Sequence, residues 1–148
     1  MTAHNLHLAV IGRNGDRTGH GQEAVALGRK PRRYTTAVAS TPIRRRALDR
    51  FAEQARQILG PQLLELRLFG SEARGDARPD SDLDVLVVVQ PDAERTALED
   101  RVIDIAFDVN LEFGLYISPR VVTPGILNDP VWRETPFLKN VVRESVPL

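Results

Sequence analysis

The residues of this chain best suited to chemistry lie between positions 70 and 84, in the run Gly70-Ser71-Glu72-Ala73-Arg74-Gly75-Asp76-Ala77-Arg78-Pro79-Asp80-Ser81-Asp82-Leu83-Asp84. Asp82 and Asp84 are two apart at the start of an apolar, β-branched stretch. On a strand that spacing turns both carboxylates to one face and Leu83 to the other. Two carboxylates entering a hydrophobic strand are costly unless a cation or donors satisfy them, and hard oxygen ligands favour Mg²⁺ or Mn²⁺. Gly70-Ser71 stands where the preceding strand gives way to a turn or short helix. Backbone N–H groups point outward there and can receive phosphate oxygens, with the serine hydroxyl as a further donor. Arg74, three residues on, can bring a guanidinium to the same anion. Loop, paired acids and arginine together describe phosphoryl or nucleotidyl transfer, in which catalysis is mainly positioning and charge neutralisation.

The elements that must hold these residues are legible on either side. Thr41 can cap a helix with Pro42 at its first position, and Ile43, Ala47, Leu48, Phe51, Ala55, Ile58 and Leu59 recur at helical spacing until Gly60-Pro61. Arg44, Arg45, Arg46 and Arg50 are read as the wet side of that helix. Leu63–Phe69 alternates as a strand, Gly70–Ser81 is turn-rich, and residues 82–89 form a second strand adjacent to the first. A long helix is expected from Asp92 to Phe113, with Asp92 and Glu94 near its positive N-terminal end and Gly114 closing it. Leu115–Thr123 is a third strand, at an edge or bulged because of Pro119. Pro124–Asn128 is a turn, and Glu134–Glu144 is a last helix carrying Phe137, Leu138, Val141 and Val142. The order describes an α+β domain with helices packed on a small mixed sheet.

The 148 residues carry 20 basic and 20 acidic side chains, enough chain for one domain with a core. The neutral sum hides a division, because residues 1–50 hold ten basic against three acidic residues, a net of +7 that leaves −7 for the rest. A basic half can bind nucleic acid, but a solvated leader beside an acidic domain accounts for the asymmetry more simply. With no cysteine, disulfides, thiolate zinc sites and thiol catalysis are excluded. No apolar run reaches membrane-spanning length and the start lacks a signal-peptide core, so a cytoplasmic protein is expected. Residues 1–40 read as a basic, Gly-rich, poorly ordered extension, and residues 41–148 as the functional domain. The glycines from Gly12 to Gly21 lack the Gly-Lys-Ser/Thr of a phosphate loop, and His4, His7 and His20 lack further metal ligands. Met1 is the sole methionine, and one reading of this stretch is a gene start set too early, with initiation at a codon such as that of Val38.

The pattern Gly-Ser, ten residues, Asp-x-Asp, with an intervening Ala-Arg-Gly, resembles the minimal nucleotidyltransferases of the DNA polymerase β-like superfamily. The resemblance covers about residues 43–148, including the ending from Pro136-Phe137-Leu138 to Val146-Pro147-Leu148. It implies the polymerase β-like nucleotidyltransferase fold, with Gly70 and Ser71 on the triphosphate of a nucleotide such as ATP, Asp82 and Asp84 holding Mg²⁺, and Arg74 assisting the phosphates. It also implies transfer of AMP to an acceptor hydroxyl, since many such proteins are antitoxins that modify a tyrosine of a HEPN-type toxin partner. One position departs from the pattern: Arg120 falls where active members carry a third carboxylate, unless the register shifts by one and Ser118 lies nearest the site. Hence a module that binds nucleotide or a partner without turnover stands as the alternative. Asp104, Asp108 and Glu112 are read as a solvated acidic stripe. A single domain without a separate acceptor-recognition part works on a docked partner or as a homo-oligomer, and Trp132, Phe137 and Leu138 are candidate contacts unless buried in the chain's own core.

Overall fold

The structure is a computed structural model that describes residues 41–91 and 94–148. Of the first forty residues it describes only strands β1 (His7–Leu8) and β2 (Val25–Ala26), which pair antiparallel. The remaining expectations for residues 1–40, and the position of Asp92, lie outside the described residues.

Helix α1 (Pro42–Leu59) begins as its sequence predicts: the Thr41 hydroxyl accepts from the Arg44 amide at 3.4 Å, and Pro42 fills the first turn where no donor is needed. Gly60, at φ +51, ends it in a backbone region that glycine enters without steric cost. Strand β3 (Leu63–Phe69) leads into the single-turn helix α2 (Gly70–Arg74), and a loop returns to β4 (Leu83–Val89). Helix α3 (Arg95–Phe113) crosses to β5 (Ile117–Val122), and Gly114 in the left-handed region makes the stop. Three short helices follow, α4 (Pro124–Asn128), α5 (Pro130–Arg133) and α6 (Pro136–Glu144), before strand β6 (Val146–Pro147). The expected turn over Pro124–Asn128 is therefore a helix, and the last helix starts two residues later than periodicity suggests. Each of the three starts on a proline, whose fixed φ suits a first turn.

The sheet order is β5-β4-β3-β6, with β4 and β5 parallel and the other neighbours antiparallel. Two cores flank it. Leu48, Phe51 and Ala55 of α1 and Val102, Ile105 and Val109 of α3 pack on the face carrying Leu83, Val85 and Val87. Leu138 and Val141 of α6 and Leu127 of α4 cover Leu86, Val88 and Phe69 on the other. Central β4 is thus apolar on both faces, as a doubly covered strand must be, and Asp84 is its one charged residue.

The apolar stripe of α1 is rotated from the one read in sequence. Ile43 and Ile58 are exposed, whereas Arg44 is buried. Of the three residues proposed for partner contact, Leu138 is buried, Phe137 packs edge-on against Phe69, and Trp132 is half exposed at 51%. Asp104, Asp108 and Glu112 are exposed, with Glu112 reaching Arg50 at 3.5 Å. Among the described residues no helix is long and apolar enough to cross a membrane.

Candidate active site

The register of the sheet brings the two halves of the motif together. Phe69 pairs with Asp84 across β3 and β4, so the chain leaves β3 at Gly70 directly beside that carboxylate. Gly70 has φ +73, and a Cβ built on it would collide with Asp84 Oδ2 and lie 3.1 Å from Cγ. Only glycine meets both demands, a left-handed backbone and a carboxylate pressed against it. A Gly70→Ala variant is expected to lose stability by more than the roughly 1–2 kcal/mol of a left-handed alanine, because Asp84 must also move. Thermal unfolding with and without ATP should show a lower midpoint and a diminished nucleotide-induced rise.

Beyond Gly70, α2 closes quickly. Gly75 sits at φ +82 and its N–H reaches the Ser71 carbonyl at 3.0 Å, as does that of Asp76. The Ser71 hydroxyl makes no hydrogen bond among the described residues, so it and the first amides of α2 remain available as donors.

Asp82 is exposed just before β4 and Asp84 is half-buried within it. Burial raises the Asp84 carboxyl above its ordinary 3.8; the neighbouring Asp82 raises it further, while Arg120 and Arg74 oppose the rise. A carboxylate pair that is partly desolvated and mutually repelling is the kind of donor set a divalent cation relieves. Among the described residues no group of three acid, histidine or cysteine side chains gathers around a metal position. Mg²⁺ does not require one, since it commonly takes one or two carboxylates and completes its shell with water and substrate phosphates.

One buried and one part-buried ion pair hold this geometry, and sequence periodicity identified neither. Arg44 is only 2% exposed, with Nε donating to Glu72 Oε2 at 2.7 Å and Nη2 to the Ser81 carbonyl at 2.8 Å. One α1 side chain therefore ties helix α2 to the residue preceding Asp82. The Ser81 hydroxyl accepts from the Arg78 amide at 2.8 Å and the Leu83 amide donates to the Tyr116 carbonyl at 2.8 Å, which fixes the entry to β4 from both sides. Farther along β3, Arg67 pairs with Glu65 at 2.5 Å and donates to the Ser145 hydroxyl and carbonyl. Burial raises the Glu65 carboxyl and Arg67 limits the rise. By holding Ser145, Arg67 anchors the end of α6 and with it Glu144, whose side chain is 6% exposed. Glu144 accepts from Arg74 Nη1 at 2.6 Å, and Asp76 accepts from Arg74 Nε at 3.2 Å. Arg74 thus stands near the acids, with two carboxylates already on its guanidinium.

The register of β5 settles the position of Arg120. Ser118 pairs with Asp84 and Arg120 with Leu86, so Arg120 shares the face of Asp84 and is exposed there. Beside it a groove of about 550 Å³ runs between α3, β5 and the short helices, lined by Ile103, Ile126, Trp132 and Phe137 among others.

The nucleotidyltransferase domain family matches residues 48–148. MJ1305 of Methanocaldococcus jannaschii, assigned by name as a protein adenylyltransferase, is 37% identical over 82 residues, covering 55% of this chain and 56% of its own length. MJ0604 of the same organism, assigned by name likewise, is 30% identical over 101 residues, which cover 68% of this chain and 92% of MJ0604. The chain thus spans a little over half of the first relative and nearly all of the second. A crystal structure of a toxin–antitoxin with AMP-PNP superposes at a TM-score of 0.44 with 16% identity, over 66% of this chain and 68% of that one. On the extent of the family match, this chain belongs to the nucleotidyltransferase domain family of transferases.

Proposed function

We propose that residues 41–148 form a Mg²⁺-dependent adenylyltransferase that moves AMP from ATP to a hydroxyl on a partner protein. The observation that carries this is the close approach of Gly70 to Asp84, which sets a phosphate-type loop directly against the acid pair. In this reading Gly70, Ser71 and the first amides of α2 receive the triphosphate, with Arg74 exchanging one of its carboxylates for phosphate. Asp82 and Asp84 would hold the divalent cation, which when bound supplies positive charge across the triphosphate oxygens. The acceptor oxygen forms a bond to the α-phosphorus and gives up its proton to water. The bond from that phosphorus to the β-phosphate bridging oxygen breaks, and pyrophosphate departs with the electron pair. The names of the two relatives support a protein acceptor. A HEPN-type toxin, implied by the sequence resemblance, is the first acceptor to test, with this chain as its antitoxin in the cytoplasm.

A second reading, nucleotide or partner binding without turnover, is favoured by one observation: a cation on β5 shares the face of Asp84. The adenylyltransferase reading, and the second reading in its nucleotide-binding form, require nucleotide binding at the acid pair. Mg²⁺ with ATP should raise the unfolding midpoint of the wild type by several degrees, and the double variant Asp82→Asn/Asp84→Asn should show no rise. An undiminished rise in that variant sinks the assignment of the pair.

A further inference from the structure

Arg120 was the awkward residue of the sequence, a cation where the resemblance expects an acid. The sheet gives it a different meaning. The order β5-β4-β3 puts Asp84 in the middle, with the Gly70-Ser71 loop leaving from β3 on one side and Arg120 on β5 on the other. A phosphorus held over Asp84 has its departing pyrophosphate toward the loop. Nucleophile and leaving group lie on opposite sides in an in-line displacement. The acceptor oxygen therefore arrives from the β5 side.

Arg120 borders that approach. Adjacent strands lie about 4.8 Å apart and two residues advance about 6.6 Å, so its Cα is roughly 8 Å from that of Asp84, within reach of an extended guanidinium and a phosphate oxygen together. Its state also differs from that of the other arginine near the acids. Arg74 is held by Asp76 and Glu144. Arg120 is exposed and, among the described residues, makes no hydrogen bond or ion pair, though its charge is felt at Asp84, whose carboxyl it pulls downward. An arginine free of carboxylate partners offers planar donors matched to phosphate oxygens.

We propose that Arg120 is a catalytic residue that binds the non-bridging oxygens of the α-phosphate from the acceptor side, neutralising charge there in place of the third carboxylate and any cation it would recruit. This rests on the adenylyltransferase reading and adds to it a residue whose charge is opposite to the one the family pattern leads one to expect. The opposite reading, Arg120 as a repulsive intruder, makes the opposite prediction for every variant.

The test is calorimetric binding, in Mg²⁺ buffer, of α,β-methylene-ATP, whose transferable bond is blocked, and of inorganic pyrophosphate. Arg120→Ala should weaken the analogue about tenfold, the scale of one charge-assisted contact, and leave pyrophosphate within twofold. Arg120→Lys should recover part of the loss, and Arg120→Asp should bind the analogue more weakly than Arg120→Ala. Unchanged or tighter binding of the analogue by Arg120→Ala or Arg120→Asp overturns the proposal, and so does equal weakening of both ligands. A wild type that binds neither ligand refutes the adenylyltransferase reading itself, a result distinct from either.

Discussion

An Asp84→Asn variant should be at least as heat-stable as the wild type and should lose AMP transfer by about a thousandfold or more. The two halves of this expectation have one cause. Asp84 is half-buried beside Asp82, and burial together with that neighbour disfavours its charged form, raising its carboxyl above the ordinary 3.8. A carboxylate raised on folding is a stability cost at neutral pH. Stability from this group is greatest below 3.8, where the carboxyl is protonated folded and unfolded alike, and it declines as the pH rises through that value toward the folded pKa. Asparagine keeps the shape and removes the charge, so the cost vanishes together with the oxygen proposed to hold the cation. The stability gain over wild type, measured by thermal unfolding in EDTA, should shrink below pH 3.8. The transfer loss follows from electrostatic stabilisation, where removal of a single group that acts on transition-state charge costs about 10²–10³, and from the loss of the proposed metal ligand as well. Functional sites commonly trade stability for such arrangements. A lowered midpoint in Asp84→Asn would show that Asp84 is structural rather than poised for a ligand.

The second large effect concerns a residue far from any expected chemistry. Arg44→Met should destabilise the domain by about 3–5 kcal/mol, the usual cost of removing one partner from a buried pair, because the Glu72 carboxylate then stays buried without that guanidinium. Urea unfolding measures the loss directly. The double variant Arg44→Met/Glu72→Leu should regain most of it, since apolar side chains of similar volume replace buried ion pairs with little or no loss. Recovery of stability should not restore function. Arg44 also holds the Ser81 carbonyl at 2.8 Å, one residue before Asp82, and that bond is missing in the double variant. Its affinity for ATP should therefore remain reduced. A double variant with wild-type ATP affinity would limit Arg44 to a role in folding.

The ease with which each of these features is read from sequence follows from the range of the forces that make it. The limits of α1 are set by Thr41, Pro42 and Gly60, all acting within one turn, and β3 runs over Leu63–Phe69 as its alternation indicates. The adjacency of β3 and β4 was expected from their order, but the contact of Gly70 with Asp84 depends on the Phe69–Asp84 register, which no local pattern sets. Arg44 is different, because local reasoning assigns a charged residue to the wet side of a helix. Its partner Glu72 lies 28 residues away and becomes visible only when α1 packs across the sheet. The same holds for Arg67, which sits inside a strand that alternation alone would make half apolar, and whose contact with Ser145 spans 78 residues. Arg120 turned on a single choice of register, and parallel pairing fixes register through the hydrophobic faces of the strands: Val121 and Val122 had to be buried opposite Val87 and Val88. The short helices α4 and α5 escape periodicity because four or five residues are too few to show one.

The division of charge follows the same architecture. The acidic portion of the chain contains the paired aspartates, and the raised carboxyl of Asp84 comes from its burial and its neighbour Asp82 rather than from net charge. Arginines inside that portion serve distinct ends. Arg67 and Arg74 are bound to carboxylates and brace α6, while Arg120 faces the site without such a partner among the described residues.

The most direct test of nucleotidyl transfer is to incubate the protein and Mg²⁺ with ATP labelled at the α-phosphate or, in parallel, at the γ-phosphate, together with extract of its native cells and the product of the adjacent gene. The account predicts protein-bound label from α-labelled ATP only, dependent on Mg²⁺ and absent with Asp84→Asn. Label arriving from the γ-phosphate, or no transfer from the α-phosphate by a wild type shown to bind ATP, would contradict it.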